Sequence, residues 1–171
     1  MGCVHVYTGD GKGKTTAALG LLLRAVGAGH RACLFQFMKK GEYSELRALR
    51  ERFPEVEVHQ LGSGRFVDPQ RIGKDELDRA AEGFGKACTA IESGEYDLVI
   101  LDEANVALHI GLLSAEAVLR MLRDRPERTE IVLTGRSAPE SIIDAADLCT
   151  EMRMVKHYYD CGVPARKGVE L

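Results

Sequence analysis

Residues 3–16 read CVHVYTGDGKGKTT, a short β-branched and apolar run that breaks into a glycine-rich turn and then a lysine and two threonines. The run reads as a strand, and residues 14–28 behind the turn read as a helix. From Thr8 the segment fits T-x-x-x-x-G-K-T, so Gly13, Lys14 and Thr15 close a Walker A pattern whose opening glycine is replaced by Thr8. Gly9, Gly11 and Gly13 let the backbone adopt positive φ and turn successive N–H groups toward phosphate oxygens, with Asp10 and Lys12 between them. The following helix N-terminus adds roughly half a positive charge. In this reading Lys14 reaches phosphate oxygens, the Thr15 hydroxyl ligates Mg²⁺, and Thr16 supplies a second hydroxyl beside it. A solvated strand-to-helix turn is the plain alternative. Three glycines, Lys-Thr at the right offset and the right flanks speak against it.

The alternation continues to the end of the chain. Strands are expected over 3–8, 31–37, 56–61, 96–102, 129–135 and 148–155. Helices are expected over 14–28, 42–52, 74–93, 104–110 joined to 114–124, and 138–146. Ser114 stands as an N-cap before AEAVLRML, and Pro139 fits the first turn of its helix. Strands and helices in this order imply an α/β fold with a mostly parallel central sheet of about six strands and helices on both faces. The run LVIL at 98–101 is continuously apolar, as a central strand buried on both faces should be. The 171 residues make one domain, long enough to bury ~68–70% of the unfolded surface. Residues 62–74, GSGRFVDPQRIGK, read as a functional loop, and 156–171 as a tail folding back over a site.

Composition narrows the function classes. The chain is 45% hydrophobic and 29% charged, with net charge −3, so no global cationic field recruits nucleic acid or anionic lipid. Its five cysteines are an odd, scattered set without a CxxC pair, which reads as reduced thiols and not as a disulfide framework or a zinc site. No apolar run approaches the ~18 residues of a membrane span, and no leader pattern opens the chain. A cytoplasmic protein without nucleic-acid or membrane partners is expected.

YDLVILDEAN places Asp102 and Glu103 at the C-terminal end of a buried strand, the edge where open α/β sheets bind ligands. There they would hold Mg²⁺ with Thr15 and phosphate oxygens, the choice of direct ligand being open between the two carboxylates. The plainer alternative makes Asp102 a helix cap and leaves Glu103 exposed. LTGRSAPE puts Arg136 at the same edge, where it can neutralise phosphate charge as readily as it can be a surface arginine on a turn. A two-domain helicase is excluded by length, and no N-K-x-D segment marks a GTPase. Nucleotide triphosphate and Mg²⁺ follow from the residues; the reaction does not.

The segments VYTGDGKGKTTAALGLLLRAVGAGHR, FQFMKKGEY, DLVILDEANVALHIGLLSAEAVLRML and RPERTEIVLTGRSAPESIIDAADLCTEMRMVKHYYDCGVPARKGVEL, taken in order, resemble the P-loop ATP:corrinoid adenosyltransferases of the CobA/CobO type. The resemblance covers nearly the whole chain and carries with it the RecA-like P-loop NTPase fold. Its specific pieces are the TGDGKGKTTAA loop and the TGRSAPE to KH…ARKG ending. The chain departs from the family pattern in starting at the first strand, in having GSGRFVD where many members have G-x-G-F-T-W, and in having Ala104 and Val106 after the acidic strand.

The resemblance implies transfer of the 5′-deoxyadenosyl group of ATP to the Co(I) of a reduced corrinoid, with release of triphosphate. Co(I) is itself a strong nucleophile, so no protein general base is required. Lys14 and Arg136 become the candidate catalytic residues, stabilising the departing triphosphate. Gly9, Asp10, Gly11, Lys12, Gly13, Lys14, Thr15 and Thr16 would hold ATP, Phe66 and Val67 the corrinoid, and Thr15, Asp102 and Glu103 the metal. The resemblance also implies a separate flavoprotein-type reductant and a homodimer. A regulatory ATP-binding module without corrinoid chemistry and a small-molecule kinase stand as the alternatives.

Overall fold

Strand β1 (Val4–Thr8) buries Val4, Val6 and Thr8 and half-exposes the residues between them, the alternation of a strand whose two faces meet different layers. The computed structural model describes residues 1–65 and 67–170. After β1 come α1 (Lys14–Gly27), β2 (Ala32–Gln36), α2 (Ser44–Arg52), β3 (Glu57–Gln60), α3 (Lys74–Glu92) and β4 (Leu98–Asp102). Then follow α4 (Ala104–His109), α5 (Ala115–Asp124), β5 (Glu130–Thr134), α6 (Glu140–Asp144), β6 (Leu148–Glu151) and a short 3₁₀ turn, Tyr158–Cys161.

The six strands form one sheet in the order β3-β2-β4-β5-β1-β6, and every pairing is parallel. β2 and β4 are buried along their whole length, which accounts for the unbroken apolar run at 98–101. Val6, Phe35, Val99, Leu101 and Leu133 point to the face covered by α3, α4, α5 and α6. Leu34, Ile100 and Val132 point to the other face, where Ala18 and Leu22 of α1 and Leu46 and Leu49 of α2 cover them. This is the expected α/β architecture with both faces covered. No helix among the described residues is long and apolar enough to cross a membrane.

The signal at the start of α5 holds, while Pro139, expected in the first turn of its helix, is the residue that caps it. Ser114 caps α5 by accepting the Ala117 N–H at 3.3 Å, and Pro139 stands immediately ahead of α6. Two elements are four residues shorter than expected, where the others differ by one or two residues at an end. The helix expected over 138–146 spans Glu140–Asp144, and the strand expected over 148–155 ends at Glu151. The strand stops because β1, the strand it pairs with, ends at Thr8: the Met152 N–H still donates to the Thr8 carbonyl at 2.8 Å, and the Met152 carbonyl then accepts the Gly11 N–H of the β1–α1 loop at 2.6 Å.

Candidate nucleotide site

The β1–α1 loop leaves the C-terminal edge of the sheet through Gly9 (φ 92°) and enters α1 through Gly13 (φ 122°), both in the region that favours glycine. A Cβ at Gly9 or Gly11 would lie 2.6 Å from the Met152 carbonyl oxygen. These two glycines therefore answer to the chain leaving β6 as well as to any ligand. The Gly11 N–H, expected to face phosphate, donates to Met152. No side chain caps α1, so its first N–H groups remain open to an anion.

Lys14 differs from a surface loop lysine. It is 8% exposed, and its Nζ donates to the carbonyls of Gly9 at 2.5 Å and Gly11 at 2.8 Å. Burial, followed by the like charge of Arg136, pulls its pKa down. Asp10, Lys12, Thr16 and Arg136 are exposed at the same edge, and Thr15 is half-buried.

Asp102, fully buried, is the hub of the site. One carboxylate oxygen accepts from Thr15 Oγ1 at 2.8 Å and Thr134 Oγ1 at 2.7 Å. The other accepts from Gln36 Nε2 at 3.1 Å and Lys39 Nζ at 2.9 Å. Burial, the largest single effect, lowers the Lys39 pKa, but the charge and hydrogen bond of Asp102 together with the charges of Glu103 and Glu45 outweigh it and the net shift is upward. Glu103 follows in a left-handed turn (φ 60°), its N–H donating to Thr134 Oγ1 at 3.0 Å. Burial and then the Asp102 charge push its carboxyl above the usual range, against the pull of Lys39, Lys14 and Arg136. The charges read from the sequence, Lys14, Asp102, Glu103 and Arg136, thus act on one another at one edge of the sheet.

Gln36, Lys39 and Thr134 were not among the residues singled out by motif. Gln36 and Thr134 share a signal in hindsight: each is a polar residue ending an apolar strand, in ACLFQ and EIVLT. Asn105 of the DEAN segment also acquires a task. Its Nδ2 donates to the carbonyls of Gly135 at 3.3 Å and Tyr7 at 3.4 Å, tying α4 to the turn that carries Arg136. A Cβ at Gly135 (φ 132°) would lie 2.9 Å from the Val106 nitrogen, so that turn admits only glycine.

The donor set suits a hard divalent cation: a threonine hydroxyl and a carboxylate in contact, with Glu103 adjacent in sequence. Lys39, itself a cation, sets its Nζ against the same pair, 2.9 Å from Asp102 Oδ2 and 3.3 Å from Thr15 Oγ1.

The tail meets the loop through Lys12, whose Nζ lies 2.7 Å from Glu170 Oε1, 2.9 Å from Tyr158 Oη and 3.1 Å from the Val169 carbonyl. Arg166, then Lys12 and Tyr158, hold the Glu170 carboxyl well below the usual range. Of the two residues expected near the corrinoid, Phe66 lies outside the described residues, and Val67 packs against the larger core cluster. A cavity of about 550 Å³ opens beside that loop, lined by Lys40, Ser63, Arg65, Lys74 and Arg79 among others.

Exchanging Glu103 for glutamine separates stability from chemistry. A carboxyl whose folded pKa lies above its ordinary value of 4.5 favours the fold while protonated and loses that contribution as pH rises through the folded value. Glu103→Gln is therefore expected to be more stable than the parent at neutral pH. The difference should close below about pH 4. Urea unfolding at both pH values checks this, and a variant less stable than the parent at neutral pH contradicts it.

A parallel sheet with a glycine loop between β1 and an uncapped α1, and a buried acid on β4 two strands across, defines a P-loop nucleotide-binding protein. The chain belongs to the ATP:corrinoid adenosyltransferase family: the family described as ATP:corrinoid adenosyltransferase BtuR/CobO/CobP matches residues 1–171. It is 38% identical to a corrinoid adenosyltransferase of Pseudomonas aeruginosa, over 99% of this chain and 83% of that one. It is 36% identical to a corrinoid adenosyltransferase, CobA, of Salmonella typhimurium, over 99% of this chain and 85% of that one. An uncharacterised Nostoc protein is 41% identical over 91% of this chain, which spans 45% of that longer protein. Among solved structures, the flagellar accessory protein FlaH of Methanocaldococcus jannaschii superposes with TM-score 0.61 at 10% identity, covering 87% of this chain and 70% of that one, a likeness of fold alone.

Proposed function

We propose that the chain transfers the 5′-deoxyadenosyl group of ATP to the Co(I) of a reduced corrinoid, and that the edge around Asp102 and the β1–α1 loop holds the triphosphate as leaving group. The cobalt electron pair forms the Co–C5′ bond while the C5′–O bond breaks, its electrons departing with triphosphate. Cobalt ends formally as Co(III), and no proton has to move. The protein's work is then to position C5′ and to stabilise the charge that develops on the departing oxygen.

In this reading Lys14 turns from the Gly9 and Gly11 carbonyls to phosphate oxygens, joined by the open N–H groups at the start of α1. Arg136, set on the turn that Asn105 fastens, faces the same charge. Thr15 and Asp102 would hold Mg²⁺, with Glu103 beside them. A bound Mg²⁺ would neutralise part of the triphosphate charge and so improve it as a leaving group. Asp10, Lys12 and Thr16 line the outer rim of the loop. The corrinoid would lie on the side of loop 62–74, against Phe66, Val67 and the tail held by Lys12. A separate flavoprotein-type reductant would supply Co(I), and a homodimer in the cytoplasm is the proposed working form.

The reaction rests on the family match over residues 1–171, and the place given to the triphosphate is supported by the Thr15–Asp102 contact of 2.8 Å, which brings the two motifs together at the mouth of the loop. Anaerobic incubation with ATP, Mg²⁺ and chemically reduced corrinoid, followed by phosphorus NMR and visible spectroscopy, tests it. Triphosphate together with a light-sensitive alkylcobalt product is expected. ADP as sole phosphorus product would mark a kinase, and no turnover a binding module.

A further inference from the structure

Lys39 belongs to neither motif, yet its ammonium is the cation nearest the Asp102–Thr15 pair. It comes from the segment after β2, which is fastened on both sides. The Phe37 N–H donates to the Asp102 carbonyl at 3.0 Å, and the Gly62 N–H donates to the Lys39 carbonyl at 3.2 Å. Gly62 is packed so closely there that a Cβ would lie 2.7 Å from the Lys39 nitrogen. The backbone of Lys39 is thus held while its four-carbon stem can swing. The side chain is 20% exposed, and its Nζ also lies 5.9 Å from the centre of the Tyr43 ring, a face that favours a cation.

Charge sets the consequence. Asp102 with Lys39 is a neutral pair. A divalent ion entering between Asp102 and Thr15 would stand within about 3 Å of the ammonium, and two such cations repel strongly at that range. A triphosphate, bearing several negative charges, changes the balance: it offers the Lys39 ammonium new oxygens and supplies counter-charge for the metal.

We propose that Lys39 is a displaceable resident cation, which keeps the Asp102–Thr15 pair closed to divalent metal until a triphosphate draws its ammonium away. Metal and nucleotide then enter together, and Lys39 moves from the carboxylate to the leaving group. The proposal rests on the reading of Thr15 and Asp102 as the metal pair. It adds that the pair is guarded, and by which residue.

Mn²⁺ is the probe, followed by electron paramagnetic resonance on the full chain, without nucleotide and then with inorganic triphosphate. Lys39→Met removes the charge and keeps the stem; Lys39→Gln keeps a hydrogen bond to Asp102 should the methionine variant fold poorly; Lys39→Arg keeps the charge. Without triphosphate, both neutral variants are expected to bind Mn²⁺ about tenfold tighter than the parent, while Lys39→Arg stays as weak as the parent. With triphosphate the order reverses, the parent forming the protein–Mn²⁺–triphosphate complex about tenfold more tightly than the neutral variants. A merely structural lysine would not produce this reversal.

Neutral variants that bind Mn²⁺ alone no tighter than the parent overturn the guard while leaving the metal pair intact. A parent complex with triphosphate that Asp102→Asn does not weaken overturns the metal pair, and the guard with it.

Discussion

Lys14→Gln is expected to slow adenosyl transfer by about 10²–10³-fold while leaving the fold in place, the loss typical of removing one preorganised donor to developing charge. The effect should fall on kcat more than on KM. In the proposed site the amides at the start of α1 would still hold the ground-state phosphates, whereas the extra charge on the breaking C5′–O bond would appear only as triphosphate departs. Glutamine is a better probe than alanine here because Lys14 is 8% exposed and bonds to the Gly9 and Gly11 carbonyls. Glutamine can still donate to one of them, while alanine would leave both loop carbonyls without their donor. Initial rates of alkylcobalt formation at saturating ATP, with circular dichroism to verify folding, make the measurement. A variant as fast as the parent would remove Lys14 from the phosphate role.

Asp102 should give the largest combined loss of stability and activity. Asp102→Ala strands the Lys39 ammonium and takes the acceptor from Thr15, Thr134 and Gln36 at once. Breaking a buried ion pair on one side typically costs about 3–5 kcal/mol. Asp102→Asn keeps the volume and one carbonyl acceptor but loses the charge, so it should cost less stability and still lose about 10²-fold or more in turnover. Chemical unfolding ranks the three proteins parent, Asn, Ala. An alanine variant within about 1 kcal/mol of the parent would mean that the four partners find other acceptors, and that the carboxylate is not the hub. The two substitutions together separate what the charge does from what the shape does.

The elements that were legible are those whose signals are local. The β1–α1 loop announces itself through glycines and Lys-Thr at fixed offsets. β4 does so through its unbroken apolar run, and α5 through Ser114. β6 and α6 each came out four residues short. β6 ends because β1, the strand it pairs with, ends at Thr8, and nothing within residues 148–155 encodes that. Lys14 was legible as a phosphate-seeking residue by position, but its burial was not. Gln36, Lys39 and Thr134 carry no motif at all, since a polar residue at the end of a strand is ordinary until something stands opposite it.

The sequence alone determined a parallel α/β sheet, a phosphate loop between its first strand and helix, an acid at the end of the buried strand LVILD, and a likeness to one family along its whole length. Those follow from short-range periodicity and spacing, which a chain carries wherever it folds. Only the tertiary structure decided that β5 lies between β1 and β4 and so brings Thr134 to Asp102. It alone placed Lys39 against Asp102 and Met152 against the glycines of the loop. Strand order and cross-sheet neighbours are set by how distant faces pack together. A carboxylate's partners are therefore read across the sheet, where sequence separation carries no information about distance.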